Sequence, residues 1–119
     1  MPEIRLTYFA IAGAAEKVRL SFVLGNVAFE DERIKWEDWK ALKPTTPYGQ
    51  VPVLSVDGRV ISQSDAMVRY AASLAPALYP PELALGIDEI IGLVGDFNRA
   101  WEPCLYMGIS PERYGAAAL

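Results

Sequence analysis

Histidine is absent from the 119 residues, and cysteine occurs once. Without histidine there is no His-based zinc site and no His-based catalytic triad. A lone thiol forms no internal disulfide and leaves no Cys-x-x-Cys pair, which speaks against a thioredoxin-type oxidoreductase. It fits a reducing compartment. Basic residues are short too: 11 Lys+Arg stand against 15 Asp+Glu, a net charge of −4, which argues against a nucleic-acid or anionic-membrane surface. No uninterrupted apolar run approaches the ~18 residues of a membrane span. The opening Met1-Pro2-Glu3-Ile4-Arg5 lacks a basic stretch followed by an apolar one, so no secretory signal is expected. A cytoplasmic location follows as the expectation, with an organellar assembly left open.

Apolar residues are plentiful. They make up 52%, and about 55% when glycine is counted in place of tyrosine, against the usual ~45–50%. A chain of this length holds one domain, or one domain with a small addition. The surplus suggests apolar surface meant for a partner, or for chain beyond this stretch.

Glu3 to Phe9 alternates Ile4 and Leu6 with Arg5 and Thr7, the pattern of a strand buried on one face. Glu16 to Leu24 has helical spacing, with Val18, Phe22 and Val23 on one side and Glu16, Lys17 and Arg19 elsewhere. Gly25-Asn26 reads as its stop, with glycine taking the left-handed conformation. Phe29 to Ile34 is a charged strand suited to a sheet edge. Trp36 to Lys43 precedes an irregular Pro44-Thr45-Thr46-Pro47-Tyr48-Gly49 loop. Val53–Val56 and Arg59–Ser62 flank Asp57-Gly58, the expected pair for a tight hairpin turn. Ser64 caps a helix from about Asp65 to Leu74 that buries Met67, Val68, Ala71 and Leu74. Pro76 and Pro80-Pro81 form a linker. A long helix then runs from Leu83 to about Leu105 with Ile87, Ile90, Ile91, Val94, Phe97 and Trp101 at helical spacing, and Pro103 should kink or end it.

Strand, helix, strand, loop, hairpin and helix describe a four-stranded mixed sheet with helices packed on it, an α/β domain of thioredoxin-like type. The order alone also fits other small α/β domains. Particular residues narrow it: Leu6-Thr7-Tyr8-Phe9, then Trp39 and Lys43, then Gly49-Gln50-Val51-Pro52-Val53-Leu54, then Gln63-Ser64 ahead of Ala66-Met67-Val68-Arg69-Tyr70. In this order and spacing they resemble the glutathione-binding half of a cytosolic glutathione transferase. The resemblance is nearest to the sigma class, whose members include prostaglandin D synthases. It covers about the first 75 residues, and more loosely the helix containing Asp88 and Asp96.

The resemblance implies a thioredoxin-like glutathione-binding domain over residues 1–76, and the first helix and a fragment of an all-helical domain over 82–119. It implies glutathione as co-substrate, no metal, a small electrophile as second substrate, and a homodimer or larger assembly through the long helix. Tyr8 is the catalytic residue it implies, its hydroxyl donating to the glutathione sulfur. Val51, before a cis Pro52, would pair strand-like with the tripeptide, next to Gln50. Ser64 and Gln63 would take the γ-glutamyl carboxylate, Trp39 and Lys43 the glycine carboxylate, and Asp96 the partner subunit's γ-glutamyl ammonium. Each has a plainer alternative. Tyr8 and Trp39 also suit core packing, Lys43 and Asp96 solvation, Ser64 helix capping, Pro52 a turn, and Trp36 simple packing.

Two departures bear on activity. The sigma-class run after the tyrosine carries arginines, whereas here it reads Ala12-Gly13-Ala14-Ala15-Glu16. A weaker nucleophile and a looser loop are expected, with glutathione binding less affected than turnover. Family members also run to nearly twice this length, and beyond the long helix only Ser110-Pro111-Glu112-Arg113-Tyr114-Gly115 resembles a further fragment. Gly92 and Gly95, near Asp88 and Arg99, suit close helix packing. Two functions therefore stand: conjugation or isomerisation of an electrophile with glutathione, or a non-catalytic docking subunit.

Overall fold

A computed structural model describes residues 1–105, and the described chain divides into two compact units between Tyr79 and Pro80. The Ser110–Gly115 stretch lies outside the described residues, as do the side chains of Trp101 and Cys104.

In the first unit, β1 (Ile4–Phe9), α1 (Glu16–Leu24), β2 (Glu30–Ile34), α2 (Trp36–Leu42), β3 (Val53–Val56), β4 (Arg59–Ile61) and α3 (Ser64–Ser73) follow one another. Short 3₁₀ turns at Gly13–Ala15 and Lys43–Thr45 lead into α1 and out of α2. The sheet order is β2-β1-β3-β4. β1 runs parallel to β2, with Phe9 opposite Ile34, and antiparallel to β3, with Thr7 opposite Val53. β3 and β4 close a hairpin with Leu54 opposite Ile61. Its turn residues Asp57 and Gly58 have φ of 50° and 85°, the pair of positive values a type I′ turn requires. This is the thioredoxin-like arrangement.

Central position changes the reading of β1. Only Arg5 is exposed; Thr7 is buried along with Ile4, Leu6, Tyr8 and Phe9, because both faces of the strand are covered. Arg5 instead reaches across to the edge strand. Its Nε donates to Glu30 at 2.8 Å, and that hydrogen bond, with the charges of Glu30 and Glu32, pushes the guanidinium pKa up from its ordinary value.

Leu6, Leu54, Val18, Phe22, Met67 and Ala71 are sealed from solvent and join sheet, α1 and α3 in one core. Phe22 stacks on Phe29 with centroids 4.9 Å apart. Burying a side chain of this size contributes roughly 1.5–3 kcal/mol.

Three details of the helices depart from the sequence expectations. Val23 is 64% exposed, whereas Arg19 is 4% exposed, so the buried face of α1 runs through Val18, Arg19 and Phe22 rather than Val23. Gly25 has φ −80°, and the left-handed residue after α1 is Asn26 at φ 54°. Glycine is needed at 25 for space, since a Cβ there would lie 2.8 Å from Ala75 Cβ. In α3, Ser64 is the first helical residue, and Val68 and Leu74 are half-buried. The capping position belongs to Gln63, and no side chain caps the helix.

The second unit contains a 3₁₀ turn at Pro81–Leu83 and α4 (Ala84–Leu105), which continues two residues past Pro103 rather than stopping there. Ile90, Leu93, Val94 and Phe97 are exposed along it, while Ile87 and Ile91 are half-buried. No described helix is long and apolar enough to cross a membrane.

Candidate functional site

Topology gathers the candidate residues of the first unit at one end of the sheet. Parallel β1 and β2 both finish there, β1 at Tyr8-Phe9 and β2 at Ile34, just before α2. Antiparallel β3 begins there, because Thr7 faces Val53 and Val51-Pro52 precede it. β4 ends there as well, delivering Ser62, Gln63 and Ser64 to the start of α3. Clefts outside the carboxyl ends of parallel strands are where α/β sheets bind ligands.

Tyr8 is 6% exposed, and its hydroxyl oxygen accepts a hydrogen bond from the Ala14 backbone N–H at 3.2 Å. A phenol has one hydrogen to donate and two acceptor lone pairs. With Ala14 on one lone pair, the O–H has no acceptor among the described residues and is available to a ligand. The turn carrying Ala14 approaches so closely that a Cβ on Gly13 would fall 2.3 Å from the Tyr8 oxygen, and Gly13 has φ +43°.

Phe9, the next residue along β1, turns to other neighbours. It stacks on Trp36 with centroids 4.2 Å apart and meets Trp39 edge-on at 5.8 Å. Trp36 is thus a packing residue, as its lack of a matching role implied. Trp39 is buried on α2, whereas Lys43 lies in the 3₁₀ turn that follows and is half-exposed. The stem of Lys43 runs along Gly49, with Cε 3.3 Å from where a Cβ would sit. That places the lysine beside the loop that leads through exposed Gln50 to Val51 and Pro52. The Val51-Pro52 peptide is cis, as the resemblance implies.

Gln63 adopts φ 80°, ψ 103°, a sparsely populated conformation for a residue with a side chain. It presents the first turn of α3 with no side chain on its N–H groups, an arrangement that favours an anion. Asp65 in that turn would oppose an anion, but Lys17 Nζ holds its carboxylate at 2.6 Å. Just before Gln63, the Ser62 hydroxyl oxygen is buried with no hydrogen-bond partner among the described residues. Asp96 belongs to α4 of the second unit, where it is ion-paired with Arg99 one turn on.

Two features escaped the sequence reading. Ser62 carries no pattern that could have marked it. Arg19 does, being four residues after Ala15 and three before Phe22, both buried. Its guanidinium lies 5.7 Å from the centre of the Tyr8 ring, so the site has an arginine although the run from Ala12 to Ala15 has none. The charge is shared with Asp31 at 3.0 Å and Glu16 at 3.3 Å. No cluster of potential metal ligands occurs among the described residues.

Residues 4–73 match the family described as glutathione S-transferase, N-terminal domain. Glutathione S-transferase 1 of Ascaris suum is 46% identical over 105 residues, covering 87% of this chain and 51% of the relative. Hematopoietic prostaglandin D synthase of Gallus gallus is 43% identical over 99 residues, covering 82% and 49%. The crystal structure of the glutathione S-transferase from Ascaris lumbricoides superposes with a TM-score of 0.81 at 44% identity, covering 88% of this chain and 52% of that one. The chain spans about half the length of the curated relatives it matches.

Proposed function

We propose, from the premise that the chain belongs to the cytosolic glutathione transferase family, that it binds glutathione at the Tyr8 end of the sheet and activates its thiol for a small electrophile. The observation that carries this reading is the Tyr8 hydroxyl, fixed by Ala14 N–H with its own proton unclaimed, at the same sheet end as the uncapped α3. In this reading the α3 N-terminus with Gln63 and Ser64 holds the γ-glutamyl carboxylate. Val51 pairs with the peptide backbone beside Pro52 and Gln50, and Trp39 and Lys43 take the glycine end. Asp96 serves the partner protomer of a sigma-class-like dimer, and the setting is cytoplasmic.

A free thiol ionises near pH 8.5, so few molecules are thiolate at neutral pH. Lowering its pKa by about two units takes ~2.7 kcal/mol of preferential stabilisation of the anion. One hydrogen bond to a charged acceptor supplies roughly 1.5–3 kcal/mol, so the Tyr8 O–H is nearly sufficient alone. Calorimetric titration with glutathione tests binding, and no heat at millimolar ligand overturns the proposal. Tyr8→Phe is expected to bind glutathione almost as well, while the thiolate absorbance of the bound ligand titrates about two units higher, the shift derived above. An unchanged titration removes Tyr8 from its role.

A second reading, a non-catalytic docking subunit, draws support from α4, where Ile90, Leu93, Val94 and Phe97 are exposed along one helix. Apolar surface of this kind usually marks an interaction site. Measurement of solution mass together with transferase activity separates the two, since a stable, active dimer contradicts docking as the sole function.

A further inference from the structure

We propose that Arg19 is a positioning residue for Tyr8, holding the segment that follows β1 so that Ala14 N–H stays on the phenol oxygen; the inference rests on the glutathione-activating role proposed for Tyr8. Arg19 is on α1, yet the hydrogen-bond partners of its side chain among the described residues lie on the path from Phe9 to Glu16 or on β2. Nη2 donates to the Phe9 carbonyl at 3.0 Å and Nη1 to the Ile11 carbonyl at 2.7 Å. Nη1 also reaches Glu16 at 3.3 Å, and Nε donates to Asp31 at 3.0 Å.

The two carbonyls bracket the exit from β1. Between them the chain leaves the sheet, and three residues past Ile11 it returns Ala14 N–H to Tyr8. The planar fork reaches two diverging carbonyls and a carboxylate from three separate nitrogens, whereas a lysine would have to reach all of them from one. The guanidinium also lies over the Tyr8 ring, limiting the room in which the ring can move. Asp31, which is shared with Arg33 at 3.0 Å, and Glu16 offset part of its charge, so the contribution is chiefly geometric rather than a bare field on the thiolate. The Ala12–Ala15 stretch brings no long side chain of its own to the phenol, so its placement falls to an arginine from the next helix.

The test uses the full 119-residue chain and Arg19→Lys, read in two ways. Amide hydrogen exchange needs no glutathione: exchange at Ala14 is expected to accelerate at least ~10-fold while Ala71, in the core of α3, is unchanged. With glutathione bound, the thiol is expected to titrate about one unit higher, a tenfold loss of thiolate. Tyr8→Phe added to Arg19→Lys should then raise it by less than Tyr8→Phe does in the parent. Equal exchange at Ala14, or acceleration at Ala14 and Ala71 alike, overturns the positioning role, and so does an unchanged thiol titration. If the parent chain binds no glutathione, the proposed function falls, and exchange at Ala14 alone decides whether Arg19 positions Tyr8. Should Arg19→Lys not fold, Asp31→Asn loosens the same guanidinium while leaving it in place, and the same shifts in smaller measure are expected.

Discussion

The Gly13 backbone closes over Tyr8 so tightly that a single added carbon would come within 2.3 Å of the phenol oxygen. Two demands meet at that glycine, a positive φ of 43° and contact with the tyrosine on which the proposed chemistry depends.

Gly13→Ala therefore has to move either the turn or Tyr8. The left-handed conformation costs a residue with a Cβ about 1–2 kcal/mol, and displacing Tyr8 adds to this. Thermal unfolding should begin several degrees lower, since 1 kcal/mol is worth roughly 4–8 °C in a unit of this size. The bound thiol should titrate higher because Ala14 N–H and Tyr8 no longer meet. An alanine variant with parental melting and parental titration would show that the turn opens freely.

The ion pair between Lys17 and Asp65 joins α1 to the start of α3, where the proposed carboxylate site lies. Both side chains are more than a third exposed or close to it, so the pair adds little to stability. Its effect should appear in binding. Lys17→Met leaves Asp65 unopposed beside the incoming carboxylate, and a two- to five-fold rise in Kd is expected, about the worth of an exposed ion pair. The rise should shrink at 0.5 M salt and vanish in Lys17→Met/Asp65→Asn. A salt-independent loss, or one that Asp65→Asn does not repair, would place the lysine's role elsewhere.

How much of this was legible beforehand depends on the interaction each residue makes. Leu6 and Leu54 declare themselves by strand alternation, Phe22 and Met67 by helical spacing, and Asp57-Gly58 by turn chemistry, all short-range signals. Thr7 and Arg19 do not, because their burial is decided by what covers them: the packing around a central strand, and two carbonyls with two carboxylates around the guanidinium. A polar residue buried with its partners looks in sequence like one facing water. The uncapped start of α3 was misread for a related reason. Ser64 is the right residue type for a cap, but the chain enters the helix one residue early, through a Gln63 conformation that no local preference favours.

That conformation leads to the last prediction, in which stability and binding move in opposite directions. A residue held at φ 80°, ψ 103° against its preference costs on the order of 1–3 kcal/mol. Gln63→Gly removes that strain, and the greater freedom of glycine in the unfolded chain takes back roughly 0.5–1 kcal/mol. The net expectation is a variant more stable by about 1 kcal/mol, seen as a higher melting temperature. Glutathione affinity should nevertheless fall about tenfold, the worth of one hydrogen bond to a carboxylate, because the amide side chain is lost. Gln63→Ala separates the two effects: it keeps the strain and loses the amide, so it should match the glycine variant in binding but not in melting. If glycine at 63 leaves affinity intact, the strained glutamine serves the entry into α3 rather than the ligand. If it lowers the melting temperature, the conformation at 63 is held by contacts of the amide itself, and the strain is repaid within the unliganded fold.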